Sequence, residues 1–139
     1  MINEKLSSET RMGPVYLAVS DLGRAIDFYR RSIGLHLIGR AGSAASLGTE
    51  QRELVYLVET PGASRVPRRT GLYHFALLVP SREALGNALR NLIATQTKLS
   101  GGADHLVSEA LYLDDPDGNG IEIYCDRPRE EWRMENGRP

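Results

Sequence analysis

The chain has 139 residues, 41% hydrophobic and 25% charged, enough to bury roughly two thirds of its unfolded surface in one core and outside the range of disordered, collagenous or coiled-coil chains. Its formal net charge of −1, from 17 basic and 18 acidic residues, leaves no electrostatic surplus for phosphate backbones or anionic lipid, so neither nucleic acid nor a membrane is an expected partner. Cys125 is the only cysteine, which excludes an intrachain disulfide. The polar opening and the lack of any apolar run of about 18 residues point to a cytoplasmic location.

The first periodic segment is Pro14 to Val19, where Val15, Leu17 and Val19 alternate as on a half-buried strand. Asp21 then offers an N-cap, and Leu22, Ala25, Ile26, Tyr29 and Ile33 recur at helical spacing until Gly34 supplies a stop. Short β-like runs follow at Leu35–Arg40, in the Gly/Ala/Ser-rich stretch to Leu47, and at Leu54–Glu59. His36 lies on a strand face expected at the surface. The segment Thr60–Thr70 is polar and Pro-punctuated, as in a linker. Its Arg65, Arg68 and Arg69 could clamp an anion, although a solvated loop is the better expectation.

From Tyr73 the same grammar returns. Phe75, Leu77 and Val79 alternate, Ser81 stands as the cap, and Leu85, Ala88, Leu89 and Leu92 form a helical stripe. β-like runs follow at His105–Val107, Ala110–Leu113 and Ile121–Cys125. An offset of 60 residues superposes Val15 on Phe75, Leu17 on Leu77, Val19 on Val79, Asp21 on Ser81 and Ile33 on Ile93, a register kept through two different periodicities. This is an internal duplication. The expected fold is α+β, two βαβββ modules forming a half-barrel cleft. Residues 1–11 form an N-terminal tail, 12–129 one domain (module one 12–60, linker 61–70, module two 71–129), and 130–139 a C-terminal tail.

The most informative stretch runs from His105 to Tyr124. Asp115-Pro-Asp-Gly118 joins two strands with turn chemistry. Glu122, a charge between Ile121 and Ile123, is not explained by hydrophobic patterning. Its plain reading is outward alternation to solvent. For Tyr112 and Tyr124 an ordinary core or rim role is the simplest, and for His105 a loop histidine bonded to backbone. No Ser-His-Asp order, Walker-type loop or paired zinc cysteines are present.

The opening Gly13-Pro-Val-Tyr-Leu-Ala-Val-Ser-Asp-Leu22, the Gly71-Leu-Tyr-His-Phe-Ala-Leu77 segment and the ending Asp115-Pro-Asp-Gly-Asn-Gly-Ile-Glu-Ile-Tyr124 resemble the vicinal-oxygen-chelate superfamily. The resemblance covers Met12 to Trp132 and is closest to the first domains of two-domain catechol 2,3-dioxygenases. It implies the paired βαβββ fold, a cleft for a small aromatic or other small molecule, and a divalent metal, Fe(II) first. It further implies His74 and Glu122 as metal ligands, with His105 and Tyr112 as acid/base and hydrogen-bond partner to substrate. The family's other ligand histidine belongs at the start of the first strand, where this chain has Pro14, and the repeat gives the same pairing of Pro14 with His74. In module one the residue opposite Glu122 is expected near Val55. A non-haem Fe(II) oxygenase uses two His and one carboxylate, so the implied site is incomplete. Three readings follow: an extradiol-type dioxygenase or other metal-dependent member, a binding protein of the bleomycin-resistance type, or the structural N-terminal domain of a larger dioxygenase. A homodimer is expected to cover surface that relatives bury against a second domain.

Overall fold

A computed structural model describes residues 7, 9–63 and 71–132. The linker arginines Arg65, Arg68 and Arg69 and most of both tails lie outside the described residues. Module one comprises β1 (Val15–Val19), α1 (Leu22–Phe28) running into a π-helical turn (Tyr29–Ile33), β2 (His36–Ala41), β3 (Ala44–Gly48) and β4 (Glu53–Glu59). Module two comprises β5 (Phe75–Leu78), α2 (Arg82–Ala94), β6 (Leu99–Asp104), β7 (Ser108–Asp114) and β8 (Gly120–Asp126), followed by a 3-10 turn (Arg129–Glu131). The sheets have orders β1-β4-β3-β2 and β5-β8-β7-β6, the same topology twice. In each, the first strand pairs in parallel with the last and the remaining pairs are antiparallel.

The local causes are those of the sequence. Asp21 accepts the Arg24 N–H at 2.9 Å and Ser81 accepts the Ala84 N–H at 3.1 Å, so both helices begin on a side-chain cap. Glu59 at the end of β4 adds a second cap, accepting the Leu22 N–H at 2.9 Å. The π turn ends at Gly34, whose φ of 88° is the left-handed conformation that a Cβ would strain.

The strands present one face to the helices and the other away from them. Leu17, Val19, Leu47, Val55 and Leu57 of the first sheet and Leu113, Ile121, Ile123 and Cys125 of the second are buried with Leu22, Ile26, Tyr29, Leu85 and Leu92 in one hydrophobic cluster. Each such aliphatic side chain contributes about 1.5–3 kcal/mol when taken from water. The modules are also joined by polar ties. Tyr29, fully buried, donates to Asp115 Oδ2 at 3.0 Å. Ser20 Oγ and Arg24 Nη2 donate to Asp117 Oδ1, and Asn91 Nδ2 donates to the Arg31 and Ser32 carbonyls. Asp115 is thus more than a turn residue: Oδ1 accepts the Asp117 and Asn119 N–H groups while Oδ2 holds Tyr29.

One expected strand is corrected. His105–Val107 is not a strand but the β6–β7 connection, with Leu106 at φ 68°; the strand preceding β7 is Leu99–Asp104. Its Gly101 and Gly102 weaken the pattern of a strand, while the apolar Leu106-Val107 pair imitates one. His36 lies on β2, exposed as expected.

Candidate functional site

The cleft face of module two is set by the β8 register. Glu122 lies between Ala76 of β5 and Tyr112 of β7, and alternation puts Ile121, Ile123 and Cys125 in the core and Glu122 and Tyr124 on the other side. Outward exposure of Glu122 is therefore not what the fold delivers: its side chain is 14% exposed. It keeps its charge partnered. Tyr112 OH donates to Glu122 Oε1 at 2.9 Å, and His74 Nε2 stands 2.8 Å from Glu122 Oε2.

His74 occupies the residue before β5. Gly120 seats it there, since a Cβ at Gly120 would lie 2.2 Å from the Tyr73 carbonyl oxygen and 3.1 Å from His74 Cβ. Only a residue without a side chain lets the start of β8 run so close to this segment. His105, on the β6–β7 connection, completes a line of four side chains. Its Nε2 lies 2.9 Å from Tyr112 OH. The hydroxyl proton is directed at Glu122, so His105 Nε2–H is the donor in that contact. The phenol of Tyr112 is held above its ordinary pKa, first by desolvation and then by the hydrogen bond and charge of Glu122. The four residues singled out from the sequence thus come together as His105, Tyr112, Glu122 and His74, in that order.

The rings of Tyr73, His74 and Tyr112 stand around the adjoining cleft, with centroids 5.0 Å apart for Tyr73–His74 and 5.9 Å for His74–Tyr112. The cleft holds about 390 Å³ and continues over Gly101, Gly102 and Gly120, a size suited to a small organic molecule. Tyr73 and Gly120 were not singled out from the sequence. The signal for Gly120 is chemical, a glycine opening the strand opposite a histidine; for Tyr73 there is none beyond its place next to His74.

The equivalent positions of module one differ. β1 and β4 pair Tyr16 with Tyr56 where β5 and β8 pair Ala76 with Glu122. The counterpart of Glu122 is therefore Tyr56, one residue from the expected Val55, which is buried in the core. Pro14 precedes β1 as His74 precedes β5. A two-His, one-carboxylate centre is thus short of one imidazole, and His74 Nε2 stands 2.8 Å from the Glu122 carboxylate. Among the described residues no group of three or more His, Cys, Asp or Glu is placed to hold a metal ion. The donor set present does not fit an Fe(II) centre by itself.

Comparison with known proteins agrees with this architecture. The chain is 44% identical over 133 residues to a catechol-2,3-dioxygenase of Bacillus subtilis (strain 168), an alignment covering 94% of this chain and 46% of that protein. The chain thus spans less than half the length of that relative. Among solved structures, a glyoxalase/dioxygenase from Nostoc punctiforme superposes with a TM-score of 0.74 at 23% identity, covering 92% of this chain and 100% of its own. A lactoylglutathione lyase from Agrobacterium tumefaciens gives 0.68 at 20% identity, covering 86% and 96%. At those identities the likeness is one of fold. Among the described residues no helix is long and apolar enough to cross a membrane. The model of the Glyoxalase/Bleomycin resistance protein/Dioxygenase superfamily matches residues 11–123, and the chain belongs to that superfamily.

Proposed function

We propose that this chain is a catechol-2,3-dioxygenase-like, extradiol-type protein whose module-two cleft takes a small aromatic molecule with adjacent hydroxyls, and that it acts as one cytoplasmic unit over residues 12–129. The observation that carries the reading is the line His105, Tyr112, Glu122, His74, with contacts of 2.9, 2.9 and 2.8 Å, of which Tyr112 and His74 border the cleft. A hydroxylated ring presented there meets the His74 imidazole and the Tyr112 phenol, both in contact with the Glu122 carboxylate, a set able to accept and return a phenolic proton. In this reading His105 and Tyr112 are the proton-handling pair, and His74 and Glu122 are the residues that a divalent ion, Fe(II) before others, would use. With Pro14 in the third place such an ion binds weakly and with several water ligands.

Metal analysis of protein purified without chelator, followed by an Fe(II)-dependent assay for ring-cleavage colour with catechol, tests it. The expected result is substoichiometric metal and slight turnover. Tightly held stoichiometric iron with rapid cleavage would show that another residue, His105 first, completes the site.

A second reading, non-catalytic sequestration of a small molecule, is favoured by Pro14, which stands before β1 where a third ligand would be needed and offers no donor. Catechol binding that survives both chelator and His74→Ala would support it. Either reading accommodates a homodimer, for which the exposed side chains Tyr16, Leu78 and Ile93, at 68%, 58% and 66%, are available to be covered. Sedimentation at micromolar concentration is expected to give twice 15.4 kDa.

A further inference from the structure

One large side chain at the cleft serves neither the core nor the hydrogen-bonded line. Tyr73 is 80% exposed, yet its ring lies against that of His74 at 5.0 Å, tilted 56°, and borders the same cleft as His74 and Tyr112. Single exposed aromatics are common on protein surfaces and usually mean nothing. Tyr73 differs because its backbone is fixed: the start of β8 passes so close that Gly120 has no room for a Cβ, which would meet the Tyr73 carbonyl at 2.2 Å. The cleft also continues over Gly101 and Gly102, and a Cβ at Gly101 would meet nothing within 4 Å. One side is thus an aromatic ring and another carries no side chain, the shape of a slot. Module one has no such wall, since an offset of 60 residues puts Gly13 where module two has Tyr73.

We infer that Tyr73 is a specificity-determining residue, the wall on which a planar aromatic ring stacks while its adjacent hydroxyls reach His74 and Tyr112. The inference rests on the aromatic-diol reading of this cleft and deepens it. The hydroxyls alone do not distinguish an aromatic diol from a saturated one of similar oxygen spacing. The ring face does, because offset stacking on Tyr73 is open only to a flat, polarisable partner.

Anaerobic calorimetric titration of catechol and of cis-cyclohexane-1,2-diol into the full chain purified without chelator, Tyr73→Leu and Tyr73→Phe tests this. The wild-type chain is expected to prefer catechol by about five- to tenfold. Tyr73→Leu should lose that preference by weakening catechol alone, and Tyr73→Phe should keep it. Both variants should unfold at the wild-type temperature, since the side chain is exposed. A Tyr73→Leu protein with undiminished preference would overturn the inference and leave the reading of the cleft intact, as would Tyr73→Phe failing as badly as Tyr73→Leu, which would move the effect to the hydroxyl. A wild-type chain that binds neither diol would remove the reading itself, and the stacking wall with it.

Discussion

The two modules share a backbone plan and differ in what it carries. At matching positions module one has Gly13, Pro14, Tyr16, Ser46 and Tyr56 where module two has Tyr73, His74, Ala76, Tyr112 and Glu122. In module one Tyr16 and Tyr56 put their rings 4.9 Å apart on the sheet face away from the core. In module two the same pair is Ala76 and Glu122, and Glu122 contacts Tyr112 and His74. The core faces did not diverge in kind: Val15, Leu17 and Val19 on one side and Phe75, Leu77 and Val79 on the other remain apolar. The lesson is that packing constrains one face of each sheet while the other is free to change its chemistry. The polar site and its aromatic counterpart are two outcomes of one scaffold.

The largest effect expected from breaking this contrast comes from Pro14→His. If Pro14 truly occupies the place of His74 in the other module, the change supplies the missing imidazole, and Fe(II) affinity measured by anaerobic titration should rise by about a hundredfold. Unchanged affinity would mean that the two strand starts do not face a common point. Next in size is Tyr29→Phe, which cuts the buried tie between the π-helical turn of module one and the β7–β8 hairpin of module two. Asp115 Oδ2 would keep only the Asn119 amide at 2.8 Å, and urea unfolding should show a loss of about 2 kcal/mol. A loss near zero would show that the Tyr29–Asp115 tie adds nothing to the apolar contacts and the other polar ties between the modules.

These tests fall on features of unequal visibility in the chain. The duplication was readable because alternation and helical spacing recur at one offset, and both caps sit where Asp21 and Ser81 announce them. β6 was not, because Gly101 and Gly102 carry no side-chain pattern and the neighbouring Leu106-Val107 imitates a strand. Of the candidate site, the resemblance names four residues, but does not reveal that Tyr112 bridges His105 and Glu122, which depends on the β7–β8 register. Nor could residue spacing reveal that Asp115 and Asp117, readable as turn formers, hold Tyr29, Ser20 and Arg24 of the other module.

The smallest effect expected is a pH dependence that separates the two modules' tyrosines. Tyr29 is fully buried beside Asp115 and Asp117, and desolvation first, then those carboxylates, raise its pKa well beyond the ordinary tyrosine value of 10.0. In Tyr112 the shift has the same direction, from desolvation and then Glu122, but the phenol lies nearer solvent. The sign follows from proton counting. In alkaline solution the unfolded chain releases tyrosine protons that the native state retains, so the native state binds more protons and stability falls as pH rises. Below about pH 9 the tyrosines are neutral in both states and contribute no slope. Above 10.0 the buried Tyr29 should lower stability by about 1.4 kcal/mol per pH unit, the consequence of one retained proton. Urea unfolding of the wild type and Tyr29→Phe at stepped pH from neutral to alkaline isolates this, because the comparison is between slopes and not between absolute stabilities. The Tyr29→Phe slope should be shallower, and the Tyr112→Phe slope should differ from wild type by less. Equal slopes for wild type and Tyr29→Phe would mean that Tyr29 ionises as easily in the native state as in the unfolded chain, and hence that the joint between the modules admits water.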